Sequence, residues 1–295
     1  RVMCETCFTC VGLGCVCCCH FKCNVGKLRT AMAFQPPDPP SYAVRRGPAG
    51  TCGDPDGKLK VVFLNEELCR SDRYRRAAEG AEVFWLMPAR GRRTPLVWLR
   101  PRQGKLGTAA ASQVLLHCHG NATDIGELLP FYQNLADALG VEVLGVEYTG
   151  FGASEGQLHT SNVYGDIDAA YEFLLSKGVA PDRIVAYGNS VGSVPAVHLA
   201  AARPLRGLVL HSPLASALRV LDRSAAGCCK PSRVMCCFDI FRNYSRMRSI
   251  RCQVFIIHGQ RDEIVPFHNA ETLYSRCREE YRWPRYHPVA GHNDV

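Results

Sequence analysis

The sequence has no apolar run long enough to cross a bilayer, no internal repeat and no recognisable nucleic-acid-binding motif. The best candidate for a span, from Cys7 to Cys19, has thirteen residues and is followed by His20 and Lys22. A spanning helix needs about 20 apolar residues, so this segment is too short. These absences argue against a membrane-spanning protein, a repeat protein and a nucleic-acid-binding protein.

The amino-acid composition is that of a globular protein. The chain has 295 residues, of which 47% are apolar, which is enough for one large domain with a buried core. The net charge of +8 is concentrated in an arginine-rich region from Arg70 to Lys105. Such a region can contact nucleic acid or an anionic membrane face. Because no nucleic-acid motif accompanies it, we interpret it as a solvated surface.

Cysteine is abundant and unevenly distributed, since eight of the seventeen cysteines lie between residues 4 and 23. The other nine are Cys52, Cys69, Cys118, Cys228, Cys229, Cys236, Cys237, Cys252 and Cys277. Scattered cysteines without a secretory signal pattern indicate a reducing compartment rather than a disulfide scaffold. The clustered ones are Cys4, Cys7, Cys10, Cys15, Cys17, Cys18, Cys19 and Cys23. They are candidates for lipid attachment or, with His20, for zinc binding.

The chain divides by pattern into three parts. Residues 1–33 are the Cys-rich head, residues 34–80 are rich in Pro and Gly and are expected to be linker and irregular, and residues 81–295 alternate strand-like and helical patterns. The predicted strands are Glu82–Leu86, Leu96–Arg100, Gln113–His117, Glu142–Glu147, Arg183–Tyr187, Gly207–His211, Gln253–His258 and Arg285–Val289. The predicted helices lie near 125–140, 162–178, 192–203 and 268–280. This alternation predicts an α/β fold with a mostly parallel central sheet flanked by helices.

A glycine–serine–glycine motif lies between a predicted strand and a predicted helix. The motif is Gly188-x-Ser190-x-Gly192, and this context is that of a nucleophile elbow. The two glycines allow a sharp turn that exposes the Ser190 hydroxyl at the end of the strand. The spacing alone is common by chance, so the strand–turn–helix context carries the prediction.

A nucleophilic serine needs a histidine base and an acid that orients it. Asp262 follows an apolar strand, and His292 lies in a Gly-containing loop after the last predicted strand. The order Ser190, Asp262, His292 is that of α/β-hydrolases. The other histidines considered for the base are His119, His258 and His268. We rank His292 first because it has both the expected order and a loop position.

Acyl transfer also needs N–H donors aimed at the developing oxyanion. One would be the backbone N–H of Val191, directly after the nucleophile. The second would come from the turn that begins at His119, at Asn121 or at Ala122, because this turn follows the first strong core strand upstream of the elbow. This chemistry requires no metal and no organic cofactor.

A long, ordered set of motifs runs through the chain. They are the N-terminal cysteines, Ala33-Phe-Gln-Pro-Pro-Asp-Pro39, His119-Gly-Asn-Ala122, Glu147-Tyr-Thr-Gly-Phe-Gly-Ala-Ser154, Gly165-Asp-Ile-Asp-Ala-Ala170, Tyr187-Gly-Asn-Ser-Val-Gly192, Leu210-His-Ser-Pro213, Cys237-Phe-Asp-Ile-Phe241, Ile257-His-Gly259 with Asp262, and Ala290-Gly-His-Asn-Asp294. In them the chain resembles the alpha/beta-hydrolase domain-containing 17 family of membrane-anchored protein depalmitoylases, over about 110 to 295 and in the head. The resemblance implies an α/β-hydrolase that removes palmitoyl groups from cysteines, with Ser190, Asp262 and His292 at the triad positions.

Three features depart from the pattern of this family. Residues 45 to 80 match poorly. The segment Ala225–Cys237 carries two cysteine pairs and looks like an insertion, within a cap region that we place at 213–250. The helix that follows the histidine in the family is missing. Because the sequence starts with Arg1 and stops at Val295, we expect it to be an incomplete gene product.

With the resemblance in view, S-acylation is the favoured interpretation of the head cysteines. Two or more acyl chains anchor a protein stably, whereas one binds only marginally, and Lys22, Lys27 and Arg29 would add attraction to anionic lipid. We therefore expect a monomer at the cytoplasmic face of plasma and endosomal membranes, acting on S-acylated membrane proteins and binding no nucleic acid. Two alternatives stay open: a general carboxylester or lipid esterase of the same fold, and a non-enzymatic Cys-rich metal-binding membrane module.

Overall fold

The computed structural model describes residues 34–47, 57–88, 92–102, 113–222, 230–234 and 239–295. The Cys-rich head, with its candidate acylation or zinc sites, lies outside the described residues, as does most of Ala225–Cys237. The strands of the described residues are β1 (Tyr42–Arg46), β2 (Leu59–Phe63), β3 (Glu82–Leu86), β4 (Thr94–Leu99), β5 (Val114–Cys118), β6 (Glu142–Val146), β7 (Ile184–Asn189), β8 (Gly207–His211), β9 (Gln253–Gly259) and β10 (Arg282–His287). Their helices are α1 (Glu66–Arg70), α2 (Asp72–Glu79), α3 (Ile125–Leu139), α4 (Thr160–Ser176), α5 (Ser193–Ala202), α6 (Ala217–Val220), α7 (Pro231–Val234), α8 (Asn243–Arg246) and α9 (His268–Arg276).

Strands β3 to β10 form one sheet in the order β10-β9-β8-β7-β5-β6-β4-β3. Strand β4 is antiparallel to both of its neighbours, and the other neighbouring pairs are parallel. The prediction of a mostly parallel α/β-hydrolase sheet is therefore confirmed. All eight strands and four helices predicted for residues 81–295 occur, with ends that differ by a few residues.

The core lies on both faces of the sheet. Every residue of β5 is buried, because α3 covers one face while α4 and α5 cover the other. Leu115 joins the apolar cluster that contains Leu129 of α3, and Leu116 joins the cluster that contains Ile167 of α4. Successive residues of a strand point to opposite faces, so a central strand covered on both sides is apolar throughout. The ends of these strands are thereby fixed, and the loops at their carboxyl ends form the candidate site.

The expectation of irregular structure from 34 to 80 is wrong for the described residues of that range. Strands β1 and β2 pair as an antiparallel hairpin, and helices α1 and α2 follow. Tyr42, Val61 and Phe63 are buried in the cluster that contains Ile125. Charged side chains interrupt the short alternating pattern of these strands. The long-range contacts that stabilise the hairpin cannot be predicted from the local sequence.

The region 213–250, which we expected to be a cap or insertion, carries α6, α7 and α8 in its described residues. Leu214, Phe241 and Met247 are buried and attach this region to the core.

The four described cysteines are unpaired: Cys69, Cys118, Cys252 and Cys277. None of the described helices combines the length and the apolar character that a bilayer-spanning segment requires. The described part of the chain also holds no cluster of three or more side chains that could bind a metal ion.

Candidate active site

Ser190 lies at the turn between β7 and α5, and the glycines on either side are a packing requirement. Its φ of +51° is in the left-handed region, which is uncommon for a residue other than glycine and recurs at functional sites. A Cβ on Gly192 would overlap the carbonyl oxygen of Cys118, and one on Gly188 would lie 2.7 Å from the carbonyl oxygen of Gly192. Only glycine fits at these two positions, so the backbone turns sharply and leaves the Ser190 side chain partly exposed.

The structure brings together the three residues that the sequence proposed. The Ser190 Oγ lies 3.2 Å from Nε2 of His292, and Nδ1 of His292 lies 2.7 Å from Oδ2 of Asp262. Asp262 follows β9, and His292 lies in the loop after β10. When Nδ1 donates its hydrogen to the carboxylate, Nε2 is left as an acceptor that faces the serine hydroxyl. This arrangement can take a proton from Ser190.

The carboxylate of Asp262 is held by donors on all sides. The backbone N–H groups of Ile264 and Val265 donate to Oδ1 at 2.9 and 2.7 Å, and Nε2 of His258 lies 3.2 Å from Oδ2. Burial raises the pKa of Asp262, but the hydrogen bonds from His258, His292 and Val265 outweigh burial and hold that pKa well below its usual range. The carboxylate therefore stays ionised and can orient His292 and stabilise its protonated form.

The other histidines considered for the base are engaged elsewhere. His258 is fully buried, and its Nε2 contacts the carbonyl oxygen of Val265 at 2.9 Å as well as Asp262. His119 is fully buried beside Glu147, and Nε2 of His268 contacts a backbone carbonyl oxygen. His258 thus serves as a partner of the acid. Sequence reasoning missed this role, although the spacing of four residues to Asp262 was a signal.

The turn expected to supply the second oxyanion donor lies beside the nucleophile. A Cβ on Gly120 would be 2.9 Å from Oδ1 of Asn189 and 3.6 Å from Cβ of Ser190. Of the two candidates in this turn, Ala122 donates its backbone N–H to the carbonyl oxygen of Gln35 at 2.8 Å. Asn121 directly follows Gly120 in this turn and is the other candidate for a donor beside the amide of Val191.

A buried polar network lies beneath this turn, and sequence reasoning did not assign it a role. Nε2 of His119 lies 2.8 Å from Oε1 of Glu147. The hydroxyl of Tyr42 and the backbone N–H of Ile125 donate to the other carboxylate oxygen at 2.8 and 3.1 Å. A carboxylate directly after an apolar strand was the available signal, since buried charges need partners. The network fixes the start of the turn that abuts Ser190.

A second group of polar aromatic side chains crosses the sheet next to the site. The hydroxyl of Tyr187 lies 2.8 Å from Nδ1 of His211, and the ring of Tyr187 stacks on His117 with 4.8 Å between centroids. Burial, with smaller contributions from His292 and His258, lowers the pKa of His211 to about 4. His211 is therefore a neutral acceptor for Tyr187 at neutral pH.

We expect His211→Asn to flatten the dependence of folding stability on pH. The unfolded His211 titrates near 6.5 and the folded one near 4, so between these values the unfolded state binds the extra proton. The wild type then loses stability as pH falls from 6.5 towards 4. Asn can still accept from Tyr187 but does not titrate. Measured by urea unfolding at pH 7 and pH 5, the wild type should lose roughly 2 kcal/mol more than the variant.

The matched control for this measurement is His287→Asn, which changes an exposed histidine of β10. It should leave the wild-type difference between the two pH values unchanged. Equal pH dependence in the wild type and His211→Asn would show that His211 is not held neutral by its surroundings.

Sequence comparisons relate the chain to known hydrolases. A family model described as serine aminopeptidase, S33, matches residues 109–228. Alpha/beta hydrolase domain-containing protein 17B of Xenopus laevis is 34% identical over 283 residues, which cover 94% of this chain and 90% of that protein. The human protein of the same name gives the same values. Protein 17C of Mus musculus is 34% identical over 287 residues, covering 91% of this chain and 85% of that protein.

Solved structures show the same fold at low sequence identity. An esterase of Pyrococcus furiosus has a TM-score of 0.52 at 16% identity, covering 85% of this chain and 91% of that chain. The 2,6-dihydroxy-pseudo-oxynicotine hydrolase has a TM-score of 0.57 at 16% identity, covering 74% of this chain and 65% of that chain. The fold, the motifs and the extent of the sequence similarity agree. The chain is a hydrolase of the α/β-hydrolase fold, and it belongs to the alpha/beta hydrolase domain-containing 17 family.

Proposed function

We propose that this hydrolase removes S-acyl groups, palmitoyl among them, from cysteines of membrane-associated proteins. The observation that carries the proposal is the contact chain from Ser190 Oγ through His292 to Asp262, at a nucleophile elbow. The choice of a thioester substrate is supported by the family resemblance and by the eight clustered cysteines of the head, which would place the enzyme where acylated proteins lie.

In the first half of the reaction Ser190 Oγ attacks the thioester carbonyl carbon while Nε2 of His292 takes the hydroxyl proton. The carbonyl oxygen becomes an oxyanion, which the backbone N–H groups of Val191 and Asn121 stabilise. The carbon–sulfur bond then breaks, and the leaving sulfur receives the proton from His292. The acyl group remains on Ser190 as an ester. A thiolate is a good leaving group, so this step asks less of the general acid than amide cleavage would.

In the second half a water molecule attacks the ester of Ser190 while His292 takes one of its protons. The same two N–H groups stabilise the second oxyanion, the ester bond breaks, and His292 returns the proton to Ser190 Oγ. The fatty acid leaves and the enzyme is restored. Asp262 stays ionised throughout and stabilises the imidazolium ion that forms in each half.

The proposed location is the cytoplasmic face of plasma and endosomal membranes, with the domain held there by acyl chains on the head cysteines. Two or more chains anchor stably, and the substrates would be S-acylated proteins of the same surface. The role of the head is tested on protein that includes residues 1–33. Acylation that neutral hydroxylamine removes would support the anchor, whereas stoichiometric zinc would support the metal-binding alternative.

The substrate class is tested with two peptides that differ only in the atom linking the palmitoyl group. One carries S-palmitoyl cysteine and the other O-palmitoyl serine. We expect purified protein to hydrolyse the thioester with the higher kcat/KM, because the sulfur leaves more readily. Cleavage of the oxygen ester with the thioester left intact would overturn the S-acyl assignment and favour a general esterase.

A further inference from the structure

The segment from Phe34 to Tyr42, which we call the strap, lies along the turn from His119 to Asp124, which we call the oxyanion turn. Hydrogen bonds join the two segments directly at two places, between residues that are 83 or more positions apart in the chain. At a third place the segments are connected through Tyr148 and Glu147. The turn abuts Ser190, because a Cβ on Gly120 would lie 3.6 Å from Cβ of Ser190. Whatever fixes this turn therefore fixes backbone N–H groups next to the nucleophile.

The middle contact is a reciprocal pair of hydrogen bonds at Gln35. Its backbone N–H donates to Oδ1 of Asn121 at 3.0 Å, and its carbonyl oxygen accepts from the backbone N–H of Ala122 at 2.8 Å. Ala122 has a φ of +56°, a left-handed conformation that costs a non-glycine residue about 1 kcal/mol or more. Such a conformation persists only where the surroundings stabilise it, and here the strap supplies the partner.

One end of the strap is anchored by Phe34, which is 2% exposed. Its ring packs edge-on against Phe241 and Tyr148, with centroids 5.4 and 6.1 Å apart. The ring of Tyr148 in turn stacks on His119 at 4.3 Å, and its hydroxyl donates to the carbonyl oxygen of His119 at 2.9 Å. The same aromatic side chain therefore contacts both the strap and the start of the oxyanion turn.

The other end of the strap is tied to the end of the turn and to the network beneath it. The backbone N–H of Ser41 donates to Oδ2 of Asp124 at 2.7 Å, and its hydroxyl donates to the other oxygen. The hydroxyl of Tyr42 donates to Glu147, whose second oxygen contacts His119. All of these groups are buried. The strap thus holds the oxyanion turn directly at its middle and its end, and it holds the start of the turn through Tyr148 and Glu147.

We propose that the strap is a positioning element of the oxyanion hole, and that Phe34 and the Gln35–Asn121 contact set the place of the Asn121 amide relative to Ser190. This inference rests on the proposed function. In this proposal the Asn121 side chain and the strap act on the reaction through the backbone of the turn. A displacement of about 1 Å in such a donor can cost about 10²-fold in rate, because donors must meet the oxyanion at hydrogen-bond distance.

The test uses two variants that loosen the contact in different ways. Asn121→Ala removes the acceptor for the Gln35 N–H but keeps the backbone amide, and Phe34→Ala removes the buried anchor. Phe34→Leu refills much of the volume and should rescue activity. Gln35→Ala is the matched control, since the exposed side chain is lost while both backbone contacts remain. We expect the two loosened variants to lose about 10- to 100-fold in kcat with KM changed less than about twofold.

The discriminating readout is a long-chain trifluoromethyl ketone, which adds to the serine and forms an oxyanion. Its inhibition constant should rise in proportion to the fall in kcat/KM across the variants, as expected when only transition-state stabilisation is lost. Thermal unfolding of each variant shows whether lower activity reflects a lower folded fraction. Because Asn121→Ala alters a single side chain of the turn, this variant still tests the positioning role if Phe34→Ala fails to fold.

Wild-type kcat in both Asn121→Ala and Phe34→Ala would overturn the positioning role. So would a fall in kcat that leaves ketone inhibition unchanged. A wild-type protein that hydrolyses no acyl substrate and does not react with the ketone would instead overturn the proposed function, and the role of the strap with it.

Discussion

Ser190→Ala is expected to lower kcat for thioester hydrolysis by about 10⁴- to 10⁶-fold. The substitution removes the atom that attacks the carbonyl carbon, while the contact between His292 and Asp262 at 2.7 Å remains. Alanine meets the same backbone strain as serine at a φ of +51°, so folding should change little. Activity is measured with an S-palmitoyl peptide, the nucleophile with a fluorophosphonate probe, and folding by thermal unfolding.

The matched control is Ser176→Ala, which removes an exposed hydroxyl from the end of α4. It should retain wild-type kcat and labelling. Ser190→Ala that still reacts with the fluorophosphonate probe, or that cleaves the thioester at a rate near that of the wild type, would show that Ser190 is not the nucleophile.

Asp262→Asn is expected to lower kcat by about 10⁴-fold. An amide that points its NH₂ at Nδ1 of His292 makes that nitrogen the acceptor, which places the hydrogen on Nε2. The nitrogen that faces Ser190 at 3.2 Å then cannot take the hydroxyl proton. The substitution also removes the negative charge that stabilises the imidazolium ion. The measurement is kcat from pH 6 to 9 for the wild type and the variant.

Glu263→Gln is the matched control for charge, because it neutralises an exposed carboxylate next to Asp262 in the chain. It should change kcat less than about twofold. If Asp262→Asn kept wild-type kcat across the pH range, another acid would have to orient His292.

The features of the site that follow from local geometry could be predicted from the sequence. Gly188 and Gly192 are required because the backbone passes close to β5 and α5. This requirement produces a short motif that can be recognised in the sequence. Asp262 and His292 follow strands whose apolar runs are readable because both faces of the sheet are covered. The roles of these two residues were inferred from their order in the chain, and the distances then placed them together.

The features that depend on long-range contacts could not be predicted in this way. Phe34 and Gln35 lie in a proline-rich segment that suggested a linker, yet Phe34 is buried in an aromatic cluster formed by residues far along the chain. Glu147 was seen only as part of a motif, and its contacts with Tyr42 and His119 depend on how the strap folds back. His258 was considered for the base because its burial depends on the packing of β9, which the sequence does not show.

The most direct measurement stops the reaction of the purified protein with an S-palmitoyl peptide during the first turnover and identifies the acylated residue by mass spectrometry. We expect palmitate in ester linkage on the proteolytic fragment of the enzyme that contains Ser190. This ester should be stable to neutral hydroxylamine and should be missing in Ser190→Ala. Palmitate on a cysteine, or cleavage of the peptide by wild type and Ser190→Ala alike, would contradict hydrolysis through an acyl-enzyme at Ser190.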